Sequence, residues 1–256
     1  MAFEHDSRLI GVVSCGGRQV SLTKVGPGML QLSELRVHLD QMTDRIVSRL
    51  KDRSRFPLNS VVYQADAVPI RGQRGISFLQ FALEGLESYH SSLGRYDFPD
   101  QYPLFSEPAP SPFVTRNVSK PPLPRLAIST RDDLLGFYQS LLPRLCRPGD
   151  DPNTYGETVY ADSDLLVLIN ERVNVGRYIA QVKANGEPSI FDDIADPARL
   201  EARLKDAARE RALLASARGV AERYELDPAV VEDVFRWIVS ETMQVEVEYL
   251  RQVAAG

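Results

Sequence analysis

The sequence predicts an all-α protein, a single-domain helical bundle, and three features support this prediction. Near the N-terminus, apolar residues advance by three and four positions, the spacing of one helix face, at Leu32, Leu35, Leu39, Met42, Ile46 and Leu50. Asp196–Pro197 and Asp227–Pro228 each combine an N-cap residue with a proline suited to the first helical position. After residue 30 the sequence contains no alternating strand pair with a hairpin turn and no repeat period of about 20 to 50 residues.

The composition is that of an ordinary globular protein and excludes several classes of function. The chain has 256 residues, 43% of them hydrophobic and 25% charged, and its net charge of −5 leaves no basic field for nucleic acid. No apolar run approaches the roughly 18 residues of a membrane span, and two cysteines without a CxxC motif favour a reduced, cytoplasmic setting. Three scattered histidines form no metal-ligand pair, and GxSxG, HExxH and phosphate-binding motifs are absent. We therefore expect no metal, cofactor, membrane or nucleic acid.

The N-terminal part of the chain divides into an extension and the start of the helical domain. Residues 1–29, with a strand-like segment at Leu9–Val13, are expected to form a peripheral extension. Residues 30–256 are expected to form the domain. Its first helix should begin at Leu30 and end before Pro57, because the residue preceding a proline disfavours helical backbone.

Five further helices follow, with a proline-rich connection after the first of them. They are predicted over Ile76–Tyr96, Ser129–Leu145, roughly Asp162–Ala184, 197–224 and 228–252. Ser129 and Asp132 resemble a capping box at the start of the second of these helices. The segment Phe98–Leu126 holds eight of the seventeen prolines, so it cannot be helix interior and is predicted to cross the surface. Its aromatic residues Tyr102, Phe105 and Phe113 suggest that it packs against the helices.

Two groups of charged residues are spaced so that helices would gather them into one pocket. Arg172 and Lys183 are eleven residues apart, and eleven steps of about 100° return to within about 20° of the starting face. Asp206 and Glu210 share a face one turn apart, next to Arg209. A pair of cations facing a pair of carboxylates suits a small dianion that also carries hydroxyl or ether oxygens.

A plainer interpretation places these charges in solvent on surface helices. Against that interpretation, Arg172 and Lys183 lie on or beside an apolar stripe formed by Leu165, Leu168, Ile169, Val173, Ile179 and Val182. Long charged side chains are unusual at such positions unless they have a buried partner.

Five segments of the chain carry a resemblance to a known family. They are DRSRFPLNSVVY (52–63), GISFLQFALEGLESYH (75–90), ERVNVGRYIAQVK (171–183), DAARERALL (206–214) and TMQVEVEYL (242–250). These segments, in this order, resemble the all-helical chorismate mutases of the longer eukaryotic type. The resemblance implies an isomerase of the shikimate pathway and aromatic amino acid biosynthesis, with chorismate as its small-molecule substrate. It also implies a homodimer without a cofactor.

The implied reaction is the rearrangement of chorismate to prephenate, without a covalent intermediate. Catalysis then consists of selecting the compact diaxial chair and stabilising charge on the ether oxygen as the C–O bond lengthens. Seven positions match family substrate-binding positions: Arg36, Arg172, Lys183, Asp206, Glu210, Thr242 and Glu246. Arg209 joins them because short bacterial members have the same Asp followed by Arg-Glu, although a surface position for Arg209 stays open.

The resemblance assigns catalytic roles to five of these residues. Arg36 and Arg172 match the arginines that bind the substrate carboxylates. Lys183 matches the lysine that donates to the ether oxygen and to one carboxylate. Glu210 matches the acid that accepts from the ring hydroxyl, and Glu246 matches the residue that faces the ether oxygen.

The chain departs from the family at the positions of its effector site. Long-type members bind aromatic amino acids at a dimer interface through a paired-arginine motif and an Asn-x-Gly-Ser turn. Here these positions read Gly94 and Arg95, and Thr154, Tyr155, Gly156 and Glu157. Glu157 places a negative charge near the expected ligand carboxylate. Thr43 stands where the family often has an acidic residue that pairs with an active-site arginine in the inactive state. We therefore predict a degenerate effector site, with little response to tyrosine or tryptophan.

Three alternatives compete with this interpretation. A mutase of 4-amino-4-deoxychorismate would differ at the ring substituent, and Glu210 could accept from a hydroxyl or pair with an ammonium. A non-catalytic helical regulatory protein would have lost some charged positions, whereas all seven hold competent residues. Nucleic-acid binding would depend on Arg71–Gly75, a short loop without flanking aromatic residues.

Overall fold

A computed structural model describes residues 9–15, 18–23, 32–99, 101–105, 112–114 and 123–255. Within them an antiparallel hairpin, β1 (Leu9–Cys15) with β2 (Arg18–Thr23), precedes seven α-helices. The helices are α1 (Leu32–Ser54), α2 (Phe78–Ser92), α3 (Arg131–Leu145), α4 (Tyr155–Gly186), α5 (Pro197–Leu204), α6 (Ala207–Arg223) and α7 (Pro228–Ala255). The prediction of an all-α fold is confirmed, with this hairpin as a small addition.

The helix α4 is the centre of the bundle. It packs against α1, α2 and α7, while α6 packs against both α1 and α7. Apolar residues surround most of α4, and Leu165, Leu166 and Val173 are fully buried. A helix that is hydrophobic on nearly all sides belongs in the core of a larger protein. Three charged residues of α4, Asp162, Arg172 and Arg177, are consequently buried.

A buried polar cluster around Asp162 joins α1 to α4. Arg53 donates through Nε to Asp162 Oδ1 at 2.6 Å, and both side chains are fully buried. The hydroxyls of Tyr63 and Tyr138 also donate to Asp162, the first at 2.7 Å. Burial raises the pKa of Asp162, and the charge of Arg53 opposes that rise. Because every partner is satisfied within the cluster, we regard it as structural.

The structure corrects four helix boundaries. The helix expected over 197–224 is two helices, α5 and α6, because the backbone is extended at Lys205 and Asp206 then caps α6. The helix α4 begins at Tyr155, about two turns before the expected Asp162. The helix α2 ends at Ser92, and a 3-10 turn continues from Arg95. The capping box is wrong: Thr130 is the N-cap residue of α3, with no side-chain cap bond, and its hydroxyl instead donates to Asn170 Oδ1 at 3.0 Å.

The proline-rich connection lies partly outside the described residues. Its described parts contain no helix or strand, as expected. The Tyr102 ring packs under the guanidinium of Arg177, which lies 3.9 Å from the ring centroid, so this part does lie against the bundle. Phe113, by contrast, is 91% exposed and does not pack as expected. The division into an extension and a domain stays a prediction, since the hairpin is all that the structure describes of residues 1–29.

Candidate active site

A single pocket between α1, α4, α6 and α7 contains all eight residues that the sequence analysis assigned to substrate binding. Its lining comprises the eight polar residues Arg36, Arg172, Lys183, Asp206, Arg209, Glu210, Thr242 and Glu246, and seven apolar ones, Leu32, Leu39, Ile179, Leu204, Leu213, Val239 and Met243. Apolar walls with a few convergent charged groups are typical of small-molecule sites. The described residues contain no group of three His, Cys, Asp or Glu side chains that could hold a metal ion.

Arg172 is the most deeply placed cation of the pocket. Its side chain is buried, and its Nε makes no hydrogen bond within the described part of the chain. Burial and, to a lesser degree, the charge of Arg209 together lower the pKa of Arg172 to about 10, while the charges of Asp40 and Glu246 oppose the shift. A buried guanidinium without an anionic partner destabilises the fold. An anionic ligand bound in the pocket would offset this destabilisation.

Lys183 is held between two helices. Its ammonium donates to Glu246 Oε2 at 2.8 Å and to the backbone carbonyl of Leu204 at 2.7 Å. The carbonyl is available because α5 ends at Leu204 and leaves its last acceptors without partners in the helix. The break between α5 and α6 therefore contributes directly to the site.

Glu246 is a buried carboxyl group beside this lysine. Burial raises its pKa; the charge and hydrogen bond of Lys183 and the charge of Arg172 lower it, while Glu210 adds to the rise. The net direction is upward. A raised pKa favours the protonated form, and only that form can donate a hydrogen bond to a ligand oxygen.

The exposed edge of the pocket is crossed by ion pairs between α1 and α6. Arg36 donates through Nη2 to Asp206 Oδ2 at 3.1 Å, and Arg209 donates to Asp40. The other carboxylate oxygen of Asp206 accepts the backbone N–H of Arg209 at 3.0 Å, as an N-cap. Asp206 and Glu210 do lie one turn apart as predicted, but Asp206 is at the helix start and not inside it. It is turned toward Arg36 in this structure.

Gly176 is a site-forming residue that the sequence reasoning missed. A Cβ placed on Gly176 would lie 3.0 Å from the backbone oxygen of Thr242 and 3.1 Å from its methyl group. The absent side chain therefore lets α4 and α7 approach closely beside the pocket. An isolated glycine inside a helical pattern was the available signal, because such a residue is costly unless packing requires it.

The candidate effector positions are separated within one chain. Arg95 pairs with Glu171 at 2.6 Å, and Gly94 has a positive φ of 75° before the 3-10 turn. Gly156 and Glu157 lie in the first turn of α4, and fifteen residues of helix place Gly156 about 22 Å from Glu171. One chain does not bring the two halves together. Thr154 accepts from Asn59 Nδ2 at 3.1 Å.

The helix order and the pocket that α4 shares with α1, α6 and α7 define an all-helical protein with cationic and carboxylate side chains in one pocket. Residues 155–247 match the family model of chorismate mutase type II. The chorismate mutase of Schizosaccharomyces pombe is 27% identical over 241 residues, which cover 86% of this chain and 95% of that protein. The solved chorismate mutase of Candida albicans, in complex with L-Trp, is 28% identical with a TM-score of 0.77 over 88% of this chain and 92% of that one.

A third relative gives the same result. The solved chloroplast chorismate mutase of Zea mays is 27% identical with a TM-score of 0.71 and covers 88% of this chain and 95% of that one. Over most of its length the chain is therefore similar to all-helical chorismate mutases in sequence and in fold, and residues 155–247 carry the family pattern. The resemblance drawn from the sequence is therefore confirmed.

Proposed function

We propose that this protein is an isomerase that rearranges chorismate to prephenate in the pocket between α1, α4, α6 and α7. The observation that carries the proposal is the convergence of all eight polar positions, drawn from four helices, on one lining. The similarity to chorismate mutases supports the same activity.

The reaction breaks the ether C–O bond while a C–C bond forms between the enolpyruvyl side chain and the ring. Both changes occur within one molecule, so the protein needs neither a nucleophile nor an acid that gives up its proton for good. Its work is to hold the compact conformer and to favour the charge of the transition state. Electrostatic preorganisation of this kind is commonly the largest contribution to catalysis.

The substrate carboxylates are assigned to Arg172 and Arg36. Arg172 offers a buried guanidinium, and a fork of N–H donors matches a carboxylate in two places. Arg36 at the exposed edge pairs with Asp206 in this structure, so substrate entry requires Arg36 to exchange that partner or to bind both at once. The apolar residues of the lining exclude water around the ring.

The ether oxygen is assigned to Lys183 and Glu246. Their 2.8 Å contact means that both can reach one small volume. As negative charge grows on the ether oxygen, the ammonium of Lys183 and a protonated Glu246 each donate to it more strongly than in the ground state. Glu210 is assigned to the ring hydroxyl, for which an ionised carboxylate is an acceptor.

Assembly and location complete the proposal. We assign a homodimer, and the exposed aromatic rings of Tyr89 on α2 and Tyr160 on α4 offer apolar surface for a second copy. We assign a cytoplasmic location, as for the cytosolic relative of Zea mays, although other relatives are chloroplastic. No described helix is long and apolar enough to cross a membrane. Sedimentation of the purified protein tests the dimer, since a monomer at micromolar concentration would contradict it.

The activity is tested by following the loss of chorismate absorbance with purified protein. Parallel assays with 4-amino-4-deoxychorismate decide which ring substituent Glu210 accepts. Tyrosine and tryptophan are then added, and the substitutions at Gly94 and Glu157 predict little change in the saturation curve. Absence of turnover with chorismate would refute the proposed function, and a several-fold shift with either amino acid would refute the insensitivity.

A further inference from the structure

Two ion pairs join α1 to α6 at the edge of the pocket. Arg36 and Asp40 lie one turn apart on α1, and Asp206 and Arg209 lie at the start of α6. Arg36 donates to Asp206 while Arg209 donates to Asp40, so each helix supplies one cation and one carboxylate. Three of these four residues were assigned to the pocket above. Asp40 was not, and it does not line the pocket.

The guanidinium of Arg209 keeps further N–H donors for a ligand beside its contact with Asp40. A guanidinium carries five N–H donors in one plane, and the contact with Asp40 is made by Nη2. The backbone of Arg209 is fixed by its N–H bond to the Asp206 cap. The backbone of Arg209 is therefore fixed at the start of α6 and its guanidinium is fixed by Asp40. In this position Arg209 lines the pocket.

The charges of Arg209 and Asp40 both act on Arg172, the most deeply buried cation of the pocket. Arg209 lowers the pKa of Arg172, whereas Asp40 raises it, so both lie close enough to act on Arg172. Two arginines beside one pocket repel each other until an anion binds. A carboxylate behind Arg209 offsets this repulsion and keeps the second guanidinium from turning into solvent.

We propose that Asp40 is a positioning residue that holds Arg209 at the edge of the pocket, next to Arg172, so that both guanidiniums meet the same dianionic substrate. Asp40 itself touches no substrate. This inference rests on the proposed function, because it concerns the binding of that substrate. It adds a residue that neither the resemblance nor the pocket lining contains.

The chain offers a closely matched control in Asp44, one turn further along α1. Asp44 also accepts from an arginine of α6, Arg223, at 2.9 Å, and its side chain is 48% exposed, against 53% for Asp40. Arg223 does not line the pocket. Asp40→Asn and Asp44→Asn thus each remove one exposed ion pair between the same two helices, and only the first touches the pocket.

The test compares the saturation curves of these two variants with that of the unchanged protein. Asp40→Asn should raise KM for chorismate roughly three- to fivefold, the size expected of one partly exposed ion pair, and leave kcat within about twofold. Asp44→Asn should leave KM unchanged. In an Arg209→Gln background, Asp40→Asn should raise KM no further, because the residue it positions is gone.

Three results would overturn the inference. They are an unchanged or lowered KM for Asp40→Asn, an equal rise for Asp44→Asn, and a full further rise in the Arg209→Gln background. Each of them requires an active unchanged protein, so each leaves the proposed function standing. Lack of turnover in the unchanged protein would instead reject the proposed function first.

Discussion

Lys183 on α4 and Glu246 on α7 form an ion pair of 2.8 Å inside the pocket. Glu246 is buried, and burial raises its pKa while Lys183 opposes the rise. The proposed mechanism places both groups at the ether oxygen, the atom on which charge develops. The protonation of Glu246 therefore links turnover to pH.

Glu246→Gln tests this link. An ionised carboxylate repels an ether oxygen, whereas a protonated one donates to it, so activity should be highest in acid and fall as pH rises through the raised pKa of Glu246. Glutamine has nearly the same shape and donates at every pH. We expect the variant to keep turnover within about tenfold of wild type and to lose the alkaline fall-off. A wild-type profile that is level from mildly acidic to mildly alkaline pH, or an inactive glutamine variant, would argue against this role.

Arg172→Ala and Lys183→Ala should each abolish most turnover. Loss of an oriented charge-assisted donor in a dry site should cost roughly 3–4 kcal/mol of transition-state stabilisation, and kcat/KM reports that loss. Their effects on folding should differ. Removal of Arg172 takes a hydrogen-bond partner from none of the described carboxylates. Removal of Lys183 instead leaves buried Glu246 without its ammonium partner. Only the lysine variant should therefore also be destabilised above neutral pH.

The control for this pair is Arg218→Ala, which removes an exposed arginine paired with Glu232 outside the pocket. It should retain full activity and nearly full stability. Near-normal turnover of Arg172→Ala or Lys183→Ala would remove that residue from the proposed site.

Gly176→Ala should damage the site through helix spacing. The added Cβ would meet the Thr242 backbone at 3.0 Å, so α7 must move and carry Glu246 with it. We expect lower kcat and a loss of stability of about 1–3 kcal/mol, measured by urea unfolding. Gly219→Ala on α6, where a Cβ meets nothing within 4 Å, should instead stabilise the protein by about 0.5–1 kcal/mol. Equal behaviour of the two variants would contradict the close approach.

Glu241 on α7 should make stability depend on pH. Glu241 is 5% exposed. Burial, together with the charge of Asp133, raises the pKa of Glu241 to about 7. The folded state then binds this proton more tightly than the unfolded state, so stability should fall as pH rises from about 4.5 to 7 and stay low above that range. Glu241→Gln should match wild type near pH 4 and exceed its free energy of unfolding by at most about 3 kcal/mol at pH 8.

The matched control here is Glu201→Gln, an exposed carboxyl that lines the same surface cavity as Glu241. It should leave the pH dependence of unfolding unchanged. An equal difference between Glu241→Gln and wild type at both pH values would show that the variant acts through packing and not through ionisation.

Local patterns were sufficient for much of the fold. The apolar spacing of α1 and the Asp–Pro starts of α5 and α7 predict helices because periodicity and capping act over a few residues. The shared face of Arg172 and Lys183 follows from helix geometry alone, and both residues do line one pocket. The resemblance supplied the remaining site positions, which no local rule connects.

Only the tertiary structure decided which of those charges face one another. Whether Asp206 lies inside a helix or caps one depends on the break that gives Lys183 the Leu204 carbonyl, and the pairing of Arg209 with Asp40 joins residues 169 positions apart. Gly176 acquires its importance from the Thr242 backbone on another helix. Periodicity fixes the face of each helix, but the partners of a buried charge are set by the packing of helices, since desolvation is offset only by groups that the fold brings within hydrogen-bond distance.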